Sequence, residues 1–168
     1  MADSDSSRLL LTAFKNYKPP KQLRALFILH YMPLLLSILI GPITPLTGCF
    51  STPLHLFLSI FIGIIIFLYG ATIYLRWELH WEQVYHGQLV TSGIFKSIRH
   101  PHYASLLIIN YGLAFFFNSI LCLLLATLAL PIMVLSVLDE EKLLLKQYGK
   151  DYETFMKSTP YRLIPKLF

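Results

Sequence analysis

Two long stretches of this chain carry no charged side chain. Asp, Glu, Lys and Arg are absent from residues 25–75 and again from residues 100–138. A bilayer core of roughly 30 Å is crossed by about 20 helical residues, and a helix satisfies its own backbone hydrogen bonds in lipid. Charged residues make up 14% of the chain, against about 25% in soluble domains. The sequence therefore predicts an all-α integral membrane protein.

The charge-free stretches divide into four predicted transmembrane segments. The run over residues 103–138 is too long for one crossing at about 1.5 Å per residue. Asn118 and Ser119 stand near its middle, where a turn costs little. We therefore predict a C-terminal membrane hairpin. The four predicted segments are residues 25–46 (bent by Pro33 and closed by Pro42 and Pro45), 54–75, 103–117 and 120–138.

Topology follows from the basic residues. All 14 Lys and Arg lie before the first segment, between the second and third, or after the fourth. By the positive-inside rule, this side and both termini are cytoplasmic. The nine acidic residues lie there too, so topology explains the net charge of +5 and nucleic acid is not an expected partner. We expect one domain over residues 1–168: an N-terminal segment (1–24), two transmembrane helices (25–75) and a core (76–168).

The sequence Arg-His-Pro-His-Tyr, residues 99–103, stands where the third segment begins. Pro101 suits the first turn of a helix, which makes His100 the predicted cap. The free amides and positive dipole end of such a helix favour an anionic group, for example a ligand carboxylate. The alternative is a basic flank whose side chains reach the membrane surface.

Three carboxylates, residues 139–141, follow the fourth segment directly. If the hairpin legs are antiparallel neighbours, Tyr103 and Leu138 lie close together, and acidic and basic groups converge on one pocket. The alternative is a solvated helix flank. A metal site built from these carboxylates and His80, His86, His100 and His102 is conceivable, but the spacings match no familiar zinc pattern, and no metal is predicted.

The segments that flank this pocket have less distinctive patterns. Residues 89–95 are predicted to be extended, with a turn at Gly93. They either offer backbone amides to a flat ligand such as adenine or form an ordinary loop. Trp77 and Trp81 are typical of the aromatic belt at a membrane interface. After residue 141 the pattern predicts a helix ending near Gly149 and a short second helix over 151–157, a tail able to fold over the pocket.

The order of these motifs resembles a known family. The chain reads G-x-L-V-x-x-G-I-F-x-x-I-R-H-P-x-Y from Gly87, then an apolar hairpin with Asn at its bend, then E-E-x-x-L-x-x-x-Y-G-x-x-Y from Glu140 and T-x-x-R-L-I-P from Thr159. This pattern is similar to the isoprenylcysteine carboxyl methyltransferases and their relatives among membrane phospholipid methyltransferases. The resemblance covers roughly half the chain, from Gly87 onward.

The resemblance implies an S-adenosylmethionine site at the cytoplasmic boundary, between the hairpin ends and under the tail. Glu140 would meet the cofactor's amino group, and Phe95 stands where the family has a cofactor-contacting tyrosine. One departure concerns Ser136, which stands where members that methylate prenylcysteine often have an Arg for the substrate carboxylate. The implied cofactor-binding residues are His80, Gln88, Leu89, Val90, Phe95, Arg99, His100, Pro101, Tyr103, Glu140 and Glu141, with Ser136 at the substrate.

The resemblance therefore implies methyl transfer from S-adenosylmethionine to a lipophilic acceptor that enters sideways from the bilayer. The best single candidate is the carboxylate of a C-terminal prenylcysteine. A carboxylate is ionised at neutral pH and needs no general base, so no catalytic residue is assigned. The alternatives are a phospholipid N-methyltransferase-like enzyme, an NADPH-dependent sterol-type membrane reductase with a similar Arg-His-Pro-x-Tyr, and a non-catalytic membrane scaffold. The Glu pair and the short chain favour a methyltransferase over a reductase.

Overall fold

The computed structural model describes residues 29–80, 83–84 and 87–168, and this part of the chain is helical. It forms no strand there, only an isolated bridge between Ser51 and Ser119. The basic residues before the first segment, together with Trp81 and His86, lie outside the described residues. The helices are α1 (Met32–Ile40), α2 (Ile43–Thr47), α3 (Leu56–Glu78), a 3-10 helix (Gly93–Lys96), α4 (Pro101–Phe116), α5 (Ile120–Tyr148) and α6 (Lys150–Ser158).

Two of these helices, α3 and α5, are long and apolar enough to cross a membrane. The first predicted transmembrane segment, residues 25–46, is not one continuous helix in its described part. Helix α1 ends at Ile40 and α2 begins at Ile43. Pro42 separates them because it has no N–H to continue the helical hydrogen bonds and its ring disfavours the helix before it. The prediction that Pro33 bends a helix is wrong, because Pro33 stands in the first turn of α1.

The predicted turn between α4 and α5 is confirmed. Helix α4 ends at Phe116, Asn118 has a left-handed backbone with φ of 51°, and α5 begins at Ile120. The hydroxyl of Ser119 accepts a hydrogen bond from the amide of Cys122, which caps α5. The predicted apolar leg over residues 120–138 and the predicted helix that ends near Gly149 form one continuous helix, since α5 runs from Ile120 to Tyr148. The polar residues 139–148 thus extend the same rigid helix.

Helices α3 and α4 have the most extensive contact between helices in the described chain. A Cβ atom on Gly63 would lie 2.3 Å from the backbone nitrogen of Phe116, and one on Gly112 would lie 2.7 Å from that of Phe67. The hydroxyl of Ser59 donates to the carbonyl of Phe115 at 2.7 Å. Small residues let helices in a membrane pack backbone against backbone. The sequence therefore brings α3 directly onto α4.

Helix α4 lies at the centre of the bundle. It packs against α3 and also against α1 and α5, whereas α1 and α3 have at most slight contact with each other. Apolar side chains of the outer helices point outward, including Leu39 (72% exposed), Phe57 (75%) and Leu128 (62%). A soluble monomer rarely exposes so continuous an apolar surface. The outer surface of the bundle is thus suited to lipid.

The tail folds back onto the beginning of α4. Gly149, with φ of 53°, separates α5 from α6, which agrees with the helix end predicted near this residue. The amides of Arg99 and His100 donate to the carbonyls of Tyr161 and Arg162 at 2.9 and 3.0 Å. Before α4, the turn at Gly93 is present (φ of 60°), but the residues after it form the 3-10 helix rather than an extended segment.

Candidate functional site

A cavity of about 190 Å³ lies at the N-terminal end of α4. Its walls come from that helix end, the C-terminal end of α3, the loop before the 3-10 helix, the polar part of α5, and α6. One water needs only about 10–15 Å³ of such space, so the cavity is large enough for an organic group. The folded-back tail closes one side of the cavity with Tyr152 and Phe155.

Most of the predicted cofactor-binding residues meet at this cavity. Those in its lining are Gln88, Leu89, Val90, Phe95, Arg99, His100, Pro101, Tyr103 and Glu140. Their assignment to a cofactor stays a prediction, but the structure brings together residues that are separated by up to about a third of the chain.

Three predicted residues lie outside the lining. The His80 ring hydrogen-bonds through Nδ1 with the carbonyl of Arg76 at 2.9 Å and packs against Phe95. Ser136 is buried within α5, and its hydroxyl donates to the carbonyl of Ile132 at 2.8 Å. Glu141 is not in the cavity lining, and its carboxylate is paired with Arg99 and Arg162. Their predicted ligand contacts remain predictions.

Glu141 joins three parts of the chain. Arg99 donates from Nε and Nη2 to one carboxylate oxygen at 2.8 and 2.6 Å, and Arg162 donates from Nε to the other at 2.9 Å. Nε2 of His100 is 3.4 Å from the first oxygen. The remaining guanidinium nitrogen of Arg99, Nη1, donates to the carbonyl of Thr159 at 2.6 Å. The network therefore fastens the tail to the beginning of α4 and to the polar end of α5.

This network changes the acidity of Glu141, which lies beyond the apolar part of α5. Burial on its own would raise the pKa of the carboxyl group. Hydrogen bonds from His100, Arg99 and Arg162 outweigh the burial and lower that pKa from 4.5 to about 2. Glu141 is thus an ionised carboxylate whose hydrogen-bonding capacity is already taken up by the protein.

Glu140 has different surroundings although it is the adjacent residue. Its side chain is 40% exposed, it lines the cavity, and its nearest basic neighbour is Nδ1 of His100 at 3.8 Å. Successive residues on a helix point about 100° apart, so only one member of the pair faces the tail. Of the two carboxylates, Glu140 is the one that can pair with a cationic group of a ligand.

The beginning of α4 opens onto the same cavity. His100 is the N-cap residue and Pro101 occupies the first turn, as predicted. The His100 side chain makes no capping hydrogen bond and points to the two glutamates instead. The helix dipole and the first-turn amides of His102 and Tyr103 therefore favour a negatively charged group nearby.

Several lining residues were not predicted. Leu144 and Tyr148 follow Glu140 at four-residue intervals on α5, so the continuity of that helix places all three on one face. Tyr152 and Phe155 come from the amphipathic α6. Tyr31, Trp77 and His102 come from three different helix ends, and no pattern in the sequence joins them. The remaining unpredicted lining residue is Val84.

The described residues contain no group of three or more His, Cys, Asp or Glu side chains arranged to hold a metal ion. His86, one of the ligands considered from the sequence, lies outside that part of the chain.

Comparisons with known proteins give one match. No curated protein and no solved structure matches the chain. The family described as phospholipid methyltransferase matches residues 57–151, which is more than half of the chain and includes nearly all of α3 and the whole of α4 and α5. It also includes the Arg-His-Pro-His-Tyr sequence and the Glu pair, the motifs on which the resemblance was based. The chain therefore belongs to the phospholipid methyltransferase family, a family related to the isoprenylcysteine methyltransferases.

Proposed function

We propose that this protein is an integral membrane methyltransferase that uses S-adenosylmethionine and acts on a lipophilic acceptor. The observation that carries the proposal is the cavity, whose lining includes Arg99–Tyr103 and Glu140 and lies largely within the residues that the family match covers. A membrane reductase and a non-catalytic scaffold share the helical architecture, but neither accounts for the family match.

The chemistry of the lining fits S-adenosylmethionine. The apolar loop residues Leu89 and Val90 suit the adenine ring, and Glu140 suits the amino group of the methionine part. The N-terminal end of α4 suits its carboxylate. The rings of Phe95 and Tyr103 present aromatic faces that stabilise a positive charge such as a sulfonium. Each charged part of the molecule thus has a partner of opposite or compatible charge.

The proposed topology has four crossings with both termini and the cavity in the cytoplasm. Its support is the distribution of the 14 basic residues, the two long apolar helices and the outward-facing apolar side chains. Helix α1 with α2 would provide the first crossing, α3 the second, and the hairpin the last two. Membrane lipids would surround the bundle, and the acceptor would reach the cavity from the bilayer between helices.

The residues of the cavity contribute binding, alignment and exclusion of water. S-adenosylmethionine supplies a methyl group on a positively charged sulfur, a group that needs no further activation. Helix α6 covers the cavity, with Tyr152 (1% exposed) and Phe155 (4%) in its wall, and keeps water away from the reacting groups. The rigid beginning of α4 holds the polar groups in place, and holding two reactants in line is worth several kcal/mol of the barrier.

Two acceptors are compatible with this site. The prenylcysteine carboxylate is the one implied by the sequence resemblance. The amine head group of a lipid is the second, and the ion-pair network favours it. Arg99 and Arg162 are both bound to Glu141, so no described lining residue offers an unpaired cation to hold a carboxylate acceptor. Glu140 and the aromatic rings, in contrast, favour a cationic or amine group.

Ligand binding tests the proposal. We expect the detergent-purified protein to bind S-adenosylhomocysteine, the product form of the cofactor, in a calorimetric titration. Glu140→Gln should weaken this binding by about tenfold, the loss of one charged hydrogen bond. Asp139→Asn is the matched control, because its carboxylate is paired on the surface with Lys142 and lies outside the cavity lining. Binding of NADPH but not S-adenosylhomocysteine would instead support the reductase, and binding of neither would support the scaffold.

Transfer of a tritiated methyl group distinguishes the acceptors. The assay uses a farnesylcysteine analogue and phosphatidylethanolamine in parallel, each in mixed micelles with the purified protein. Methylation of phosphatidylethanolamine is the result that the charge pattern of the cavity predicts. Methylation of the farnesylcysteine analogue only would show that the carboxylate is held by a group other than Arg99 and Arg162.

A further inference from the structure

His102 occupies the variable position of Arg-His-Pro-x-Tyr, so the family motif assigns it no role. The structure nevertheless places it in the cavity wall, as the second residue of α4 and next to Pro101 and Tyr103. Its position there is set by the rigid beginning of α4.

The His102 ring is held from two sides. Nε2 forms a 2.8 Å hydrogen bond with the hydroxyl of Tyr31, next to the beginning of α1. The Trp77 ring, at the end of α3, lies 4.3 Å from the imidazole between ring centroids. Because α1 and α3 both pack on α4, these two contacts fix the ring between the helices that flank it. His102 is therefore oriented before any ligand binds.

The other ring nitrogen of His102, Nδ1, is buried and has no hydrogen-bond partner among the described residues. A buried polar atom without a partner costs free energy, and native structures keep such atoms mainly where a ligand or another function requires them. His102 is one of the residues that line the cavity, so a ligand that packs against its ring there is the candidate partner for this nitrogen.

The surroundings of the ring keep it neutral. His102 lies before the apolar run that begins at Tyr103. Burial, and then the proximity of His30 at 6.0 Å, lower the pKa of His102 from 6.5 to about 4. Within the described part of the chain, the phenols of Tyr31, Tyr74 and Tyr103 also face it, with ring centroids 5.6–5.9 Å away. At pH 7 the imidazole carries no charge, so it neither attracts a carboxylate nor repels a cation.

We propose that His102 positions the nucleophilic nitrogen of an amine acceptor: an N–H of the amine donates to Nδ1, while Nε2–H donates to the hydroxyl oxygen of Tyr31. This inference rests on the proposed methyltransferase function and identifies the acceptor side of the same cavity. The hydrogen bond uses an N–H and leaves the nitrogen lone pair free to point at the methyl group. The aromatic rings around His102 are compatible with the positive charge that the nitrogen then acquires.

The transfer is balanced without a catalytic base. The ammonium of the acceptor releases its proton to water at the membrane surface, and the acceptor enters the cavity as the neutral amine. Its lone pair forms the new N–C bond, the S–C bond breaks, and the electron pair of that bond remains on sulfur. The positive charge moves from sulfur to nitrogen, and the proton that donates to Nδ1 stays on the product ammonium. His102 therefore needs only to accept a hydrogen bond, which an imidazole with a low pKa can do without taking the proton.

The test compares four variants with the wild type in detergent. His102→Ala removes the acceptor atom, His102→Asn retains a side-chain oxygen, and Tyr31→Phe removes the orienting hydroxyl while keeping the ring. His55→Asn is the control, because His55 is exposed just before α3 begins, far along that helix from Trp77. The readouts are the Kd of S-adenosylhomocysteine and the kcat and KM for phosphatidylethanolamine.

We expect His102→Ala to lower kcat/KM at least tenfold while the Kd of S-adenosylhomocysteine changes less than about twofold. His102→Asn should recover part of this loss, and Tyr31→Phe should lose about threefold because the ring is less firmly oriented. Rescue by Asn separates a hydrogen-bonding role from a packing role. The His55→Asn protein should match the wild type in both readouts.

The outcomes that overturn the inference differ from those that overturn the proposed function. If the wild type binds no S-adenosylhomocysteine, the proposed function fails and this inference with it. If it binds S-adenosylhomocysteine but methylates only farnesylcysteine, the function stands and the role of His102 is wrong. The role is equally wrong if His102→Ala keeps the wild-type kcat/KM, or if it weakens S-adenosylhomocysteine binding as much as it lowers kcat/KM.

Discussion

Replacing Glu141 by Gln tests whether the ion-pair network fastens the tail to the bundle. Gln has nearly the same shape but no charge, so Arg99, which is only 5% exposed, loses its counter-ion. Breaking a buried ion pair by removing one partner is strongly destabilising, because the remaining charge stays desolvated. We therefore expect Glu141→Gln to lower the free energy of unfolding substantially at pH 7, and the tail to detach first.

The magnitude follows from the acidity of the carboxyl group. Its pKa falls from 4.5 to about 2 on folding, and each pKa unit corresponds to about 1.4 kcal/mol. The ionised form therefore contributes about 3 kcal/mol. Because the pKa is lowered in the folded protein, this contribution is fully present above pH ~4.5 and is lost as the pH falls towards 2. The difference between wild type and Glu141→Gln should shrink over that window.

The measurement is denaturant-induced unfolding in detergent at pH 7 and at pH 4, with limited proteolysis of the tail alongside. Glu140→Gln is a matched control for stability, since the adjacent carboxylate is 40% exposed and has only a 3.8 Å contact with His100. An exposed pair of this kind contributes about 0–1 kcal/mol. Equal losses in the two variants, or a Glu141→Gln loss below 1 kcal/mol at pH 7, would refute the reasoning.

Two further predictions concern the membrane bundle. Gly63→Ala should lower the free energy of unfolding by about 1–3 kcal/mol in a thermal unfolding experiment, because its Cβ would lie 2.3 Å from the Phe116 backbone. The control is Ile65→Ala, at a 53% exposed position on the same helix, which should change stability little. Equal losses in the two variants would contradict the close α3–α4 contact. A membrane-impermeant maleimide should label Cys49, which is exposed between α2 and α3, only from the non-cytoplasmic side of sealed vesicles, and should not label Cys122, which is 0% exposed. Labelling of Cys49 from the cytoplasmic side would contradict the proposed topology.

Much of the helical pattern was predictable from local composition. The absence of charge over residues 100–138 and the polar Asn118-Ser119 pair located the hairpin turn, because a turn is cheapest where the apolar run is interrupted. The pattern predicts one first segment closed by Pro42 and Pro45, whereas the helix ends before Pro42 and a second short helix that contains Pro45 follows it. Hydropathy falls at residue 138, so the pattern predicts a separate helix that ends near Gly149, whereas the backbone continues as one helix to Tyr148.

The sequence by itself determined that this chain builds apolar helices and that its polar motifs stand at one end of the hairpin. Hydropathy and turn residues act locally, and they are readable from one stretch of chain at a time. Only the tertiary structure decided that Glu141 is enclosed by Arg99 and Arg162 while Glu140 faces the cavity. It also brought Tyr31 and Trp77 to His102. These roles depend on contacts between segments up to 71 residues apart, and on which way each side chain points once the helices have packed.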